Sequence, residues 1–167
     1  MNAEVKLILA TVDDAELIHQ MQYEAFLPLY EKYHDDETSP VKEKIDKVIY
    51  KLTHTNSEYY LIQLGDKNVG AIRVARKLKN NMDVLFISPL FVLPEYQNRG
   101  IGQTAIRKVF DLYPDDVTWR LDTIKQEKGN CHLYEKCGFV RVGNDHIVNE
   151  NMTLIDYEKA KLKEEKS

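Results

Sequence analysis

Between Val92 and Gly102 the chain reads Val-Leu-Pro-Glu-Tyr-Gln-Asn-Arg-Gly-Ile-Gly. An apolar strand runs into a polar turn with two glycines, and a helix follows at once. That arrangement can hold an anion. The first N–H groups of a helix have no intrahelical partner, and the helix dipole puts about half a positive charge there. Gly100 and Gly102 take away side chains, so that a diphosphate can reach the backbone. Arg99 can add a charge-assisted contact. The competing reading is a plain strand-to-helix turn whose glycines serve sterics. Gly-x-Gly alone does not decide between them. The third glycine of the dinucleotide fingerprint is missing, and there is no Gly-Lys-Ser/Thr phosphate loop.

The elements that must position this turn follow from length and periodicity. At 167 residues the chain is expected to form one domain over 1–167. Apolar residues make up 43% and charged residues 30%, which excludes a wholly disordered chain. The net charge of −4 (23 − 27) argues against nucleic acid as a partner. Two cysteines cannot build a disulfide framework, which points to a reducing compartment. The N-terminus lacks the pattern of a signal peptide. The longest nearly apolar run, Val84 to Leu93, is interrupted by Ser88 and Pro89 and falls well short of the roughly 20 residues of a membrane span. A cytoplasmic protein with no membrane partner is the expectation.

Val5 to Ala10 reads as a strand, and Asp13 with Glu16 as a capping-box-like helix start. Leu17, Ile18, Met21, Ala25, Phe26 and Leu29 recur at helical spacing, with Pro28 expected to kink or end that helix. A polar loop from Lys32 to Thr38 leads to Ser39-Pro40, read as the cap and first position of a helix that carries Ile45, Val48, Ile49 and Leu52. Strands follow at Tyr59 to Leu64, Val69 to Ala75 and Val84 to Val92, the last bent near Ser88-Pro89. Ile101, Ala105, Val109 and Leu112 mark a third helix, Val117 to Thr123 a strand, and Asn130 to Cys137 a short helix stopped by Gly138. Phe139 to Val142 and Met152 to Tyr157 are read as a hairpin with a long loop, and 158–167 as a frayed tail. The order β-α-α-β-β-β-α-β-α-β-β is that of a single mixed α/β layer structure.

Gln97 to Gly102 fits Q/R-x-x-G-x-G/A, and Leu133-Tyr134-Glu135-Lys136-Cys137-Gly138-Phe139 fits L-Y-x-x-x-G-F about thirty residues later. With both segments in this order, the chain resembles the GNAT superfamily of acyl-CoA-dependent N-acyltransferases. The resemblance implies an α/β fold with one mixed, mostly antiparallel sheet of six or seven strands flanked by about four helices. It implies acetyl-CoA as acyl donor and no metal. Gln97, Asn98, Arg99, Gly100, Ile101, Gly102, Gln103 and Thr104 would hold the CoA diphosphate. Backbone groups near Phe91, Val92 and Leu93 would pair with the pantetheine arm as an added strand does, which requires the fourth and fifth strands to splay. Many members carry Asn seven residues before the motif tyrosine. Glu127 stands there instead, and Asn130 is the candidate replacement.

Acetyl transfer from a thioester to an amine needs a neutral amine, a polarised carbonyl and a protonated leaving thiolate. A lysine-like amine is neutral in only about one molecule in 2,500 at pH 7, a deficit of about 4.6 kcal/mol that a base or a water relay must relieve. Tyr134, protonated at neutral pH, suits protonation of the thiolate. It competes with the reading of a half-buried helix tyrosine. Glu95, just after the apolar strand, is the first candidate base and Asp122 the second. Each is equally readable as a solvated or satisfied carboxylate. In the family the first two helices wall the acceptor site. Glu24, Phe26, Tyr33 and their acidic and aromatic neighbours would then receive a cationic amine, unless the loop is simply solvated. Cys131 and Cys137 are not on one helical face and the five histidines are scattered, so no metal site is expected. The function expected is an N-acetyltransferase acting on a small-molecule or peptide amine in a ternary complex. The alternative is a non-catalytic CoA-binding module, and homodimerisation through a sheet edge is open to either.

Overall fold

Among the described residues, seven strands and four helices follow one another as the switches of hydrophobic period predict. A computed structural model describes residues 4–79 and 82–160. Strand β1 (Val5–Leu9) leads through a 3-10 turn at Val12–Asp14 to helix α1 (Ala15–Tyr33), and a 3-10 turn at Pro40–Lys42 leads to α2 (Ile45–Thr53). Strands β2 (Ser57–Leu64), β3 (Lys67–Lys79) and β4 (Met82–Val92) form a meander, followed by α3 (Ile101–Asp111), β5 (Thr118–Ile124), α4 (Lys128–Lys136), β6 (Val140–Asn149) and β7 (Met152–Lys159). The strand order is β1-β2-β3-β4-β5-β7-β6. Every neighbouring pair is antiparallel except β4 with β5. The mixed, mostly antiparallel sheet flanked by four helices is the architecture expected from the sequence.

Alternation along the strands feeds two cores. On one face Ile101, Ala105, Ile106 and Val109 of α3 pack with Ile62, Ile72, Val74, Leu85, Trp119 and Leu121. On the other, Ile18, Met21 and Ala25 of α1 and Val48 of α2 pack with Tyr59, Leu61, Ala71 and Phe91. Among the described residues no helix is long and apolar enough to cross a membrane.

Several local expectations are corrected. The capping box is Thr11 with Asp14, not Asp13 with Glu16: Thr11 Oγ1 accepts from Asp13 N–H while Asp14 Oδ2 accepts from Thr11 N–H. Helix α1 runs through Pro28 to Tyr33. The bond lost there is to the carbonyl of Glu24, an exposed residue, where water can replace it. Ser39 caps the 3-10 turn at Pro40, and α2 begins separately at Ile45. Leu112 lies past the end of α3 and is exposed, whereas Ile106 completes the buried stripe. The β6–β7 hairpin has no long loop, since β6 extends to Asn149 and absorbs extra residues as register shifts. Glu158 and Lys159 belong to β7, paired with Arg120 and Trp119; residues 161–167 of the expected tail lie outside the described residues.

The feature that matters for function is a wedge in the middle of the sheet. Between Ile72 and Val74 of β3, Arg73 alone stands opposite Ser88 and Pro89, a bulge that bends β4. β4 pairs with β5 only from Val84 to Phe86, against Thr118 to Arg120. Beyond Phe86, β4 stays with β3 as far as Val92, while β5 stays with β7 as far as Ile124. The splay required by strand-like docking is therefore present.

Candidate active site

Two clefts meet at the wedge. The first, about 500 Å3, is lined by α1, the end of β4, the glycine turn and α4. The second, about 410 Å3, is lined by α1, the loop before α2, the bulge of β4 and the ends of β5 and β7. Phe26, Leu29, Leu90, Asn130 and Tyr134 line both, and so form the partition between them.

Along the first cleft, β4 offers an unpaired edge. Leu93 N–H donates to Val69 O on β3 at 2.8 Å. Strand alternation therefore turns the backbone groups of Leu90 and Val92 the other way, toward the wedge. There Val92 O accepts from Gln97 Nε2 at 2.9 Å. Of the three residues expected to offer backbone groups, Leu93 has its N–H committed to β3 and Phe91 is buried beneath α1, its ring 5.7 Å from that of Phe26. Val92 and Leu90 carry the open edge. Leu90 escaped the sequence reading because strand phase was not legible there.

The glycine turn is built by backbone sign rather than by crowding. Asn98 and Gly100 have φ of 64° and 78°, and a Cβ on Gly100 would meet nothing within 4 Å. Glycine is required there by the left-handed conformation. Gly102 differs: a Cβ would lie 3.3 Å from Leu133 Cδ1, so this residue also lets α3 approach α4. The first intrahelical bond is Thr104 N–H to Gly100 O at 3.0 Å, and Thr104 Oγ1 donates to the same oxygen at 2.9 Å. The N–H groups of Ile101, Gly102 and Gln103 precede it and lack intrahelical acceptors. Gln97, Asn98, Gly100, Ile101 and Gly102 line the first cleft. Arg99, Gln103 and Thr104 are not in its wall, and the Arg99 guanidinium lies 5.4 Å from the Tyr96 ring centroid.

The Tyr134 ring is held between Phe139 and Tyr157, with centroids 6.2 and 6.1 Å away. Burial pushes its hydroxyl pKa well above the usual phenol range, and the charge of Asp122 adds to the shift. The phenol is thus protonated throughout the neutral range. Asp122 lines the second cleft with it. Asp122 is exposed at the cleft, yet partial desolvation by the cleft walls raises its carboxyl pKa above the ordinary range, helped by Asp156, its cross-strand partner. Asp156 Oδ2 lies 3.0 Å from His146 Nε2. Asp156 and His146 went unnoticed in the sequence because only the β5–β7–β6 register brings them there.

Glu95 is not brought to the site. It sits in an exposed 3-10 turn (Pro94–Tyr96) and lines neither cleft. Of the residues expected to receive substrate, Phe26 lines both clefts, Glu24 is exposed and lines neither, and Tyr33 is 4% exposed. Tyr33 donates its hydroxyl to Glu127 Oε2 at 2.5 Å, so it is a structural clasp rather than an open contact. Tyr30 is tied to Asp36 and Asp35 to Thr38, which consumes much of the expected acidic-aromatic pocket. Glu127 also accepts from Lys32 at 2.8 Å. Burial alone would raise its carboxyl pKa, but the bonds from Lys32 and Tyr33 outweigh it and hold the group low. Asn130, one turn before Tyr134, faces both clefts. Cys131 and Cys137 are buried, and among the described residues no cluster of His, Cys, Asp or Glu is placed to hold a metal ion.

The wedge between β4 and β5, the positive-φ glycine turn that opens α3, and the half-buried Tyr134 on the partition meet at one site. The chain belongs to the acetyltransferase (GNAT) family, whose model matches residues 18–139. YrkN of Bacillus subtilis (strain 168) is 32% identical over 157 residues, covering 89% of this chain and 82% of that protein. The fold is similar to that of an acetyltransferase from Thermus thermophilus, with a TM-score of 0.69 and 19% identity over 95% of this chain and 99% of the other. It is also similar to spermidine N-acetyltransferase from Vibrio cholerae, solved with CoA and spermine, with a TM-score of 0.73 and 18% identity over 94% and 95% of the two chains.

Proposed function

We propose that the chain transfers the acetyl group of acetyl-CoA to a primary amine of a small molecule or peptide, by direct attack in a ternary complex. The single observation that carries this reading is the place of Tyr134: a protonated phenol on the partition between a cleft with an open strand edge and a second cleft. The first cleft suits the donor. Val92 and Leu90 offer backbone groups to a pantetheine arm, and the turn from Gln97 to Gly102 offers N–H groups to a diphosphate. Asn130, at the wall of both clefts, is placed to offer its amide to the donor arm. The second cleft receives the acceptor.

The amine nitrogen attacks the thioester carbonyl, its extra proton passes to a base, and the C–S bond breaks as the thiolate takes a proton from Tyr134. Asp122 replaces Glu95 as the proposed base, because it faces the acceptor cleft and its raised pKa makes it a better proton acceptor than an ordinary aspartate. Purified protein, acetyl-CoA and a panel of amines test the proposal by release of free thiol. Turnover that collapses in Tyr134→Phe while CoA affinity holds supports it. CoA binding with no turnover on any amine would favour the non-catalytic module.

A further inference from the structure

A third groove, about 460 Å3, opens on the sheet face beyond α2 and shares Ile87, Ser88 and Asp122 with the acceptor cleft. Its walls carry Lys47 from α2, Arg73 and Lys77 from β3, Arg120 and Asp122 from β5, and Asp156 from β7. In a chain of net charge −4 this is a concentration of cations. Two of the cations present are already engaged. Lys51 pairs with Glu43 at 3.1 Å and Arg120 with Glu158 at 3.4 Å. Among the described residues, Lys47 and Lys77 have no carboxylate within ion-pair distance, and Lys77 Nζ instead sits 4.7 Å from the Phe86 ring centroid.

Arg73 marks the junction. Its Nη1 donates to Ser88 O at 2.9 Å and its Nε to Ser57 Oγ at 3.3 Å, so the guanidinium is aimed by the bulge of β4. The Nη2 donors remain for a guest. This half-buried guanidinium is bonded only to neutral oxygens, and the carboxylate that acts on it, Glu43, is paired directly with Lys51, so its lost hydration is only partly offset. Asp122, on the wall of both hollows, supplies the opposite sign. One continuous space thus presents a carboxylate beside the reacting tyrosine and a set of cations just beyond it.

We propose that this groove binds the carboxylate of the acceptor. The substrate class is then amines that carry their own carboxylate, as amino acids and short peptides do, with the amine at Asp122 and the carboxylate at Arg73, Lys47 and Lys77. The inference rests on the acetyltransferase reading above and narrows its acceptor. It departs from the cationic acceptor that the residues of α1 and its following loop suggested.

The test compares alanine, glutamate and lysine with their carboxamides and with spermidine, at fixed acetyl-CoA, by thiol release. A charge-assisted contact to the carboxylate predicts a kcat/KM about 10-fold or more higher for each acid than for its amide. Lys47→Gln combined with Lys77→Gln, both at exposed positions, should erase that preference by raising KM for the acids while kcat holds. Calorimetry of N-acetylalanine against N-acetylalaninamide, titrated into the full chain with CoA, reads the same preference without turnover. Turnover of amides or spermidine with no advantage for the acids overturns the inference and leaves the acetyltransferase reading standing. Carboxylate binding that the double variant abolishes, with no turnover of any amine, supports the groove and defeats the acetyltransferase reading. Equal binding of acid and amide overturns the groove.

Discussion

Tyr33 Oη donates to Glu127 Oε2 at 2.5 Å, joining residues 94 positions apart. The bond ties the last residue of α1 to the N-cap of α4, and Lys32 beside it completes the clasp from the solvent side. The Glu127 carboxylate thus holds together the two helices that face each other across the first cleft.

Removing one partner of that clasp should therefore cost stability before it costs chemistry. Glu127→Ala leaves the Tyr33 hydroxyl buried without its acceptor, and a loss of about 1–3 kcal/mol is expected in urea unfolding at neutral pH. Because the Glu127 pKa is held below its ordinary value, the stabilisation is full above the unfolded value of about 4.3 and fades as pH falls through the lower folded one. Wild type and variant should converge in strong acid. A constant gap across pH would show that the carboxylate charge plays no part.

Tyr134→Phe keeps the ring that packs between Phe139 and Tyr157 and removes only the hydroxyl. The expected outcome is a kcat lower by about 10²-fold with CoA affinity unchanged. Single-turnover thiol release and calorimetry measure the two quantities. An unaltered kcat would take Tyr134 out of the mechanism.

Asp122 must be ionised to accept a proton, so the rate should rise with pH through a value above the ordinary aspartate range. Asp122→Asn should flatten that limb and lower kcat. The same raised pKa means that the ionised carboxylate is disfavoured in the fold. Stability associated with Asp122 is present at low pH and is lost as pH rises through the folded value. Asp122→Asn is thus expected to be slower yet slightly more heat-stable at neutral pH, with the thermal difference closing in acid. Matching losses of activity and stability would contradict the assignment.

Two glycines should respond differently to alanine. At Gly70 a Cβ would stand 2.1 Å from Phe91 O, so β3 and β4 must move apart, at a cost of about 1–3 kcal/mol or more. At Gly100 nothing is within 4 Å, and the cost is the left-handed backbone alone, about 1–2 kcal/mol. Gly100→Ala should also weaken CoA binding, because relaxing φ turns the N–H groups away from the cleft. Thermal melts and calorimetry on both variants distinguish the two causes.

The legible parts of this protein are local. Gln97 to Gly102 and Leu133 to Phe139 carry their meaning in consecutive residues, and the Ser88-Pro89 interruption announced the bulge that opens the wedge. What escaped depends on partners distant in sequence. Asp122 gains its environment from Asp156 through the β5–β7 register, and no neighbouring residue signals it. Tyr33 reads as a binding aromatic until its hydroxyl is seen to be occupied by Glu127. Pro28 reads as a helix stop, yet nineteen residues of α1 continue around it, because burial of Ile18, Met21, Ala25 and Tyr33 outweighs one missing bond. Glu95 reads as a base from its place after an apolar strand, but the chain turns it outward.

The parting of β4 from β5 gives the sheet a third rim, hidden in its interior rather than at its flanks. Amide protons along that rim should be sorted by parity: those of Leu90 and Val92 exchange with solvent, while that of Leu93, bonded to Val69, is retained. Filling the rim with CoA should slow the first pair and leave Leu93 as it was. A residue-by-residue stripe in exchange rates would then report where the visitor lies, without any need to watch the reaction.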